Sequence, residues 1–207
     1  KMFRGVSGGE AILYHNNDQK LATTSTGIDV TGTVTADGLT VDGNGSFTGN
    51  FEISGLSPKI FLSETDTTDL NTRLRSAAGK LQIQTVDDSD ANPVTRFQIN
   101  HSTGDISFYE DTGTTAKFHW DAADERLGIG TSSPQKPLHA YHATIDNVIR
   151  VESGDSRARI EIADGNTTVV PNIGVVGNHF TVDTNGEERM RIDSSGNVGI
   201  GCTPEDW

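Results

Sequence analysis

Cysteine is all but missing from this chain: a single residue, Cys202, stands among 207, so no internal disulfide can staple the fold. Aromatic residues make up 6% of the sequence and hydrophobic residues of every kind 33%. That is thin material for a chain of this length to repay its backbone entropy with a core of its own. Cations are scarce too. Sixteen Lys and Arg face 29 Asp and Glu, for a net charge of -13, and phosphate contacts need clustered cations, which argues against nucleic-acid binding. No apolar run approaches the ~20 residues that span a membrane. The opening Lys1-Met2-Phe3-Arg4-Gly5-Val6 is too short and polar for a secretion signal. Helical periodicity is absent except for residues 136–147, which a strand pattern fits equally well.

What the chain does contain is glycine, 23 residues of it, and strict local alternation. Residues 10–56 are expected to be a run of short strands. Between Ile28 and Val41 an apolar residue falls at nearly every second place, and Phe47, Phe51 and Ile53 continue the pattern. Period two marks strands with one buried face, and Asp-Gly and Asn-Gly pairs supply the positive φ of tight turns. The turns come too often for a sandwich and suit a narrow fibrous spiral or prism. One chain cannot cover such apolar edges, and three wrapped together can.

A phrase recurs farther on. Gly128-Ile129-Gly130 returns as Gly199-Ile200-Gly201, each followed by a proline, Pro134 or Pro204. Each is also preceded by a similar hairpin: Gly79 to Thr85 with Arg96 to Asn100, then His179 to Thr184 with Arg189 to Asp193. A repeated hairpin is a statement about architecture. The chain therefore divides into a repetitive shaft at residues 1–57, a first β module at 58–134 and a second at 135–207. Strands are expected at Pro58–Leu62, Thr72–Arg75, Lys80–Ile83, Arg96–Ile99, Asp105–Phe108 and Phe118–Trp120. In the second module they are expected at Val148–Val151, Arg159–Ile162 and Thr168–Val170. The two prolines are expected to end the modules, since proline stops a strand without losing a needed donor.

Motifs that would carry chemistry fall short. Asp42-Gly43-Asn44-Gly45-Ser46 opens like a calcium loop, but the twelfth position is Ile53 where Glu is required. Asp87, Asp88 and Asp90 are the candidate cation ligands, set in what reads as a solvated loop. Glu187-Glu188 and the group Asp121, Asp124 and Glu125 sit at hairpin tips, where paired carboxylates for glycoside cleavage cannot be told from turn residues. The six histidines lack ligand spacing, although His139 and His142 could face one ligand. Gly196 to Gly201 lacks the Lys and the following helix of a phosphate loop, so no cofactor is implied. Trp120 and Tyr141 are the candidate sugar-stacking rings, with core packing favoured for Trp120. Cys202 is expected to be a buried or half-buried thiol rather than a nucleophile.

Two segments carry a resemblance. Leu21 to Val41, and Arg189-Met190-Arg191-Ile192-Asp193-Ser194-Ser195-Gly196-Asn197-Val198-Gly199-Ile200-Gly201, resemble shaft segments of tailed-bacteriophage tail fibres. There the second phrase often precedes an intramolecular chaperone that trimerises the fibre and cleaves itself off. The resemblance covers residues 10–56 and the two Gly-Ile-Gly hairpins well, and the module interiors poorly. It implies an all-β, elongated, intertwined homotrimer located in the virion. Its partners would be two further copies, other tail or baseplate proteins, and a host surface glycan or protein, with no membrane insertion. On this reading Ile28, Val30, Val34, Leu39, Val41, Leu81, Ile83, Phe97, Ile99, Phe180, Val182, Met190 and Ile192 form the trimer core. The segment is expected to be non-enzymatic. A tailspike enzyme cutting host polysaccharide and a non-adhesive connector or head fibre are the alternatives. A chaperone, if present, would lie beyond Trp207.

Overall fold

The structure is a computed structural model and describes residues 2–66 and 68–203. The described residues contain strands and no helix. The chain divides into two units, Lys1–Glu52 and Ile53–Trp207.

In the first unit β1 (Phe3–Gly5), β2 (Ala11–His15), β3 (Asp18–Thr23) and β4 (Ile28–Val30) form an antiparallel meander. Asn16 and Asn17, at φ 51° and 67°, make the two-residue turn whose twist matches paired strands. Ile12 and Ala22 face each other across β2 and β3 and are 4% and 6% exposed. The expected shaft of strands stops at Val30. Residues 31–56 contain no strand, and Val34, Leu39 and Val41 are exposed. The alternation is real, but a strand needs a hydrogen-bonded neighbour as well as a pattern, and these short pieces find none within their own chain.

The second unit holds two meanders. The larger has eight strands: β5 (Lys59–Leu62), β6 (Asn71–Ala77), β7 (Lys80–Val86), β8 (Val94–Asn100), β9 (Ile106–Tyr109), β10 (Ala116–Asp121), β11 (Arg126–Ile129) and β12 (Leu138–Ala140). All pairs are antiparallel except β11 with β12. This sheet runs past Pro134 to β12, and Pro204, the other expected module end, lies outside the described residues. Residues 131–137 loop back, and Tyr141 N–H donates to the Ile129 carbonyl at 2.8 Å to hold β12 parallel. The smaller sheet is β13 (Arg157–Glu161), β14 (Asn172–Val176), β15 (His179–Thr184), β16 (Glu187–Ile192) and β17 (Val198–Ile200), antiparallel throughout. Val148–Val151 and Thr168–Val170 lie in no strand, because the strand that pairs with β14 is Arg157–Glu161. Within this unit the described strands touch only their hydrogen-bonded neighbours, so each sheet is a single layer of strands.

One hairpin design is used repeatedly. In β8, β10 and β16 a basic residue, Arg96, Lys117 or Arg189, is the extra residue of a β-bulge. After it come an apolar, a polar and a second apolar residue, then Asn100, Asp121 or Asp193. That last side chain accepts the N–H two residues on, from Ser102 (3.1 Å), Ala123 (3.2 Å) or Ser195 (2.9 Å), which starts the return turn. The bulged residue's carbonyl then accepts from the end of the next strand: Gly130 N–H to Lys117 at 2.7 Å and Gly201 N–H to Arg189 at 2.8 Å. Sequence comparison found the second and third copies by their Gly-Ile-Gly phrase. The copy at β8–β9 ends in Ser107-Phe108-Tyr109 and shares only the pattern.

Candidate interaction faces of the two sheets

Residues paired across a ladder share a face, and successive residues alternate between faces. Followed strand by strand, the eight-stranded sheet carries an apolar row of Ile60, Leu74, Ile83, Phe97, Phe108, Phe118, Ile129 and Ala140. Beside it runs a second row: Ser76, Leu81, Ile99, Ile106, Trp120, Leu127 and Leu138. Rings ladder along the first row, with Phe97–Phe108 centroids 5.1 Å apart and Phe108–Phe118 5.3 Å apart and edge-on. Among the described residues no other strand packs on this face, and Phe108 is 48% exposed. The five-stranded sheet repeats the arrangement. Its rows are Ala158, Val175, Phe180, Ile192 and Val198, and Ile160, Ile173, Val182, Met190 and Ile200.

The expected core residues Leu81, Ile83, Phe97 and Ile99 thus share one face, as do Phe180, Val182, Met190 and Ile192. Ile28 and Val30 lie on β4 and are exposed. Leu74, Phe108, Phe118, Ile129, Ile173 and Ile200 belong to the same faces and were missed. The alternation in Ile106–Phe108 and Phe118–Trp120 was signal enough to include them. Trp120 stands in the apolar row between Ile106 and Leu127. Tyr141 follows the last strand and is 52% exposed, and the ladder does not bring it into register with Trp120.

The opposite faces are polar. On the larger sheet the row Lys59, Arg75, Gln82, Gln98, Ser107, His119, Gly128 and His139 crosses all eight strands. Next to it Arg73, only 6% exposed, donates through Nε and Nη2 to Gln84 Oε1 (3.1 and 2.8 Å). Its Nη1 reaches Asp90 Oδ1 at 2.9 Å. Burial, and then the neighbouring Arg75, pull the Arg73 guanidinium below its ordinary value. On the smaller sheet Arg159 pairs with Asp183, and Arg191 holds Glu188 at 2.6 and 2.7 Å. Thr181, Asp183 and Asn172 each keep one buried side-chain oxygen without a protein partner.

No family model and no curated protein matches this chain.

The carboxylates singled out in the sequence serve the turns. Asp87 accepts from Ser89 Oγ (2.7 Å), Ser89 N–H (3.0 Å), Ala91 N–H (2.8 Å) and Asn92 Nδ2 (2.7 Å). The Ser89 hydroxyl foremost, then the Ala91 N–H, hold it below its usual range. Asp88 accepts from Asn71 Nδ2 at 2.8 Å, and Asp90 pairs with Arg73 and Lys59. Each candidate cation ligand therefore faces a protein donor. Among the described residues no group of three His, Cys, Asp or Glu is placed to hold a metal. Glu110 does the same work in the β9–β10 loop, where the N–H groups of Thr115, Thr112 and Thr114 depress it strongly. Glu187 and Glu188 are not in the turn but begin β16, paired with Thr184 and Asp183, and Glu188 is tied to Arg191; Asp121 is tied to its own turn, and Asp124 to Arg126 at 3.0 Å. His139 and His142 accept separate backbone N–H groups, from Gln135 and from Thr144 and Ile145. Cys202 is exposed, not buried, because it follows Gly201 where the last hairpin ends.

Glycine in the repeated phrase has two different causes. An added Cβ at Gly128 would strike the Thr131 carbonyl, and one at Gly130 would strike that of Tyr141. At Gly201 there is open space, and only its φ of 70° calls for glycine.

Proposed function

We propose that the chain is a structural segment of a homotrimeric tail fibre of a tailed bacteriophage. It holds a host-attachment appendage together and performs no catalysis in this segment. The observation that carries this reading is the pair of continuous apolar faces, each on a single-layer sheet with no other described strand packed against it. Burial of apolar surface between chains is then the dominant stabilising term. The charge of -13 keeps the assembly soluble. Three copies give identical surfaces that close on themselves by symmetry, and three weak receptor contacts add through avidity.

Mass in solution tests the reading directly. Light scattering is expected to return three times the 22.1 kDa of one chain, and a value of one or two chains would sink it.

A further inference from the structure

The polar face of the eight-stranded sheet has one groove whose chemistry differs from its surroundings. Gln98, Ser107 and His119 are consecutive in the polar row of β8, β9 and β10 and form its floor. Tyr109, Asp105 and Thr115 stand at its sides, and the volume is about 330 Å³. No Lys or Arg lines it, whereas the grooves beside β13 and beside β8's start carry Arg150 and Arg157, and Arg96. The floor is braced from beneath and beside. Ser107 is 6% exposed, with its Oγ 3.1 Å from His119 Nδ1. Gln82 Nε2 donates to Gln98 Oε1 at 3.3 Å, which leaves the Gln98 N–H groups as donors. Asp105 is fixed by the Ala122 N–H at 3.0 Å.

We propose that this groove binds a neutral sugar. An anionic ligand would meet the Asp105 carboxylate with no cation to pair it, a mismatch that costs binding energy. An apolar ligand would strip water from amide, hydroxyl and imidazole groups and return no hydrogen bonds. A sugar hydroxyl donates and accepts at once, which suits a lining of amide, hydroxyl, imidazole and carboxylate, and the Tyr109 ring offers an amphipathic face. The volume sits at the small end of ligand pockets, room for one or two sugar rings. The proposal rests on the fibre reading for its biological sense, since the groove lies on the face turned away from the buried apolar rows. It names the ligand class that the attachment function leaves open.

The test is isothermal titration of the full chain with glucose, galactose, mannose, N-acetylglucosamine and their disaccharides at millimolar concentration. Saturable binding of at least one sugar, one per chain, is expected. Gln98→Ala and Tyr109→Ala are each expected to weaken it about tenfold or more. Strand circular dichroism of both variants guards against a substitution that merely unfolds the sheet. No binding by any sugar of the panel, or binding that both variants retain, overturns the proposal. Light scattering on the same samples reports assembly separately. A trimer that binds no sugar sinks the groove alone, and a sugar-binding monomer sinks the fibre reading alone.

Discussion

Single residues in this chain are chosen for backbone geometry as often as for contacts. Ala78 closes the β6–β7 hairpin at φ 51°, next to Gly79 at φ 70°. A left-handed Ala carries a Cβ penalty of about 1 kcal/mol that Gly does not, and Ala78 is exposed. Ala78→Gly is therefore expected to stabilise the fold by about 1 kcal/mol, read as a higher urea midpoint at unchanged slope. Gly174 is the reverse case. A Cβ there would collide with the Ala158 carbonyl and lie 2.8 Å from the Arg159 Cα, both of them backbone. Gly174→Ala is expected to cost about 2–3 kcal/mol by forcing β13 and β14 apart, and an unchanged melting temperature would refute that account.

At the scale of elements, the turns are held by carboxylates rather than by glycine alone. Asp87, Glu110, Asp164 and Asp193 are all below their ordinary values, because neighbouring hydroxyl or N–H groups donate to the charged form. A group depressed in the folded state contributes stability above its unfolded pKa, near 4, and loses it as pH falls through the folded value. Melting temperature is expected to be flat from pH 7 to about 5 and to fall below about pH 4. A flat profile down to pH 2.5 would show these caps to be idle. Much of this was legible beforehand. Period-two alternation placed β5, β7, β8, β10 and β15, whereas the β15–β16 turn was read at Glu187-Glu188 and lies at Asn185 and Gly186. The acidic loops looked like ligand clusters because sequence shows carboxylates but not the N–H groups they cap. Val148–Val151 and the stretch from Val34 to Val41 misled for the complementary reason. They have the strand pattern and no neighbour in register, and pairing is a property of two segments.

At the scale of the molecule, one substitution separates folding from assembly. Phe108 is 48% exposed in its own sheet but stacks with Phe97 and Phe118, so Phe108→Asp costs a single chain about 1–2 kcal/mol. The same charge buried between copies would cost several kcal/mol. The variant is expected to keep its strand circular dichroism and to lose the trimer in light scattering. A variant that stays trimeric would show that this face is not the interface. Whole-molecule function was the least legible level, since an alternating sequence builds apolar rows without naming an occupant for them.

The thrice-used hairpin of the second unit makes the fold a ruler that can be cut. Arg96 and Lys117 occupy equivalent bulges, so excising residues 96–116 would join Thr95 to Lys117 and set Phe118 opposite Ile83. Strand direction, face and closing turn all survive such a splice, and the sheet shortens by two strands. Length in this protein can therefore be gained or lost in hairpin steps by duplication or deletion of a short stretch of gene, with no rewriting of the surfaces on either side.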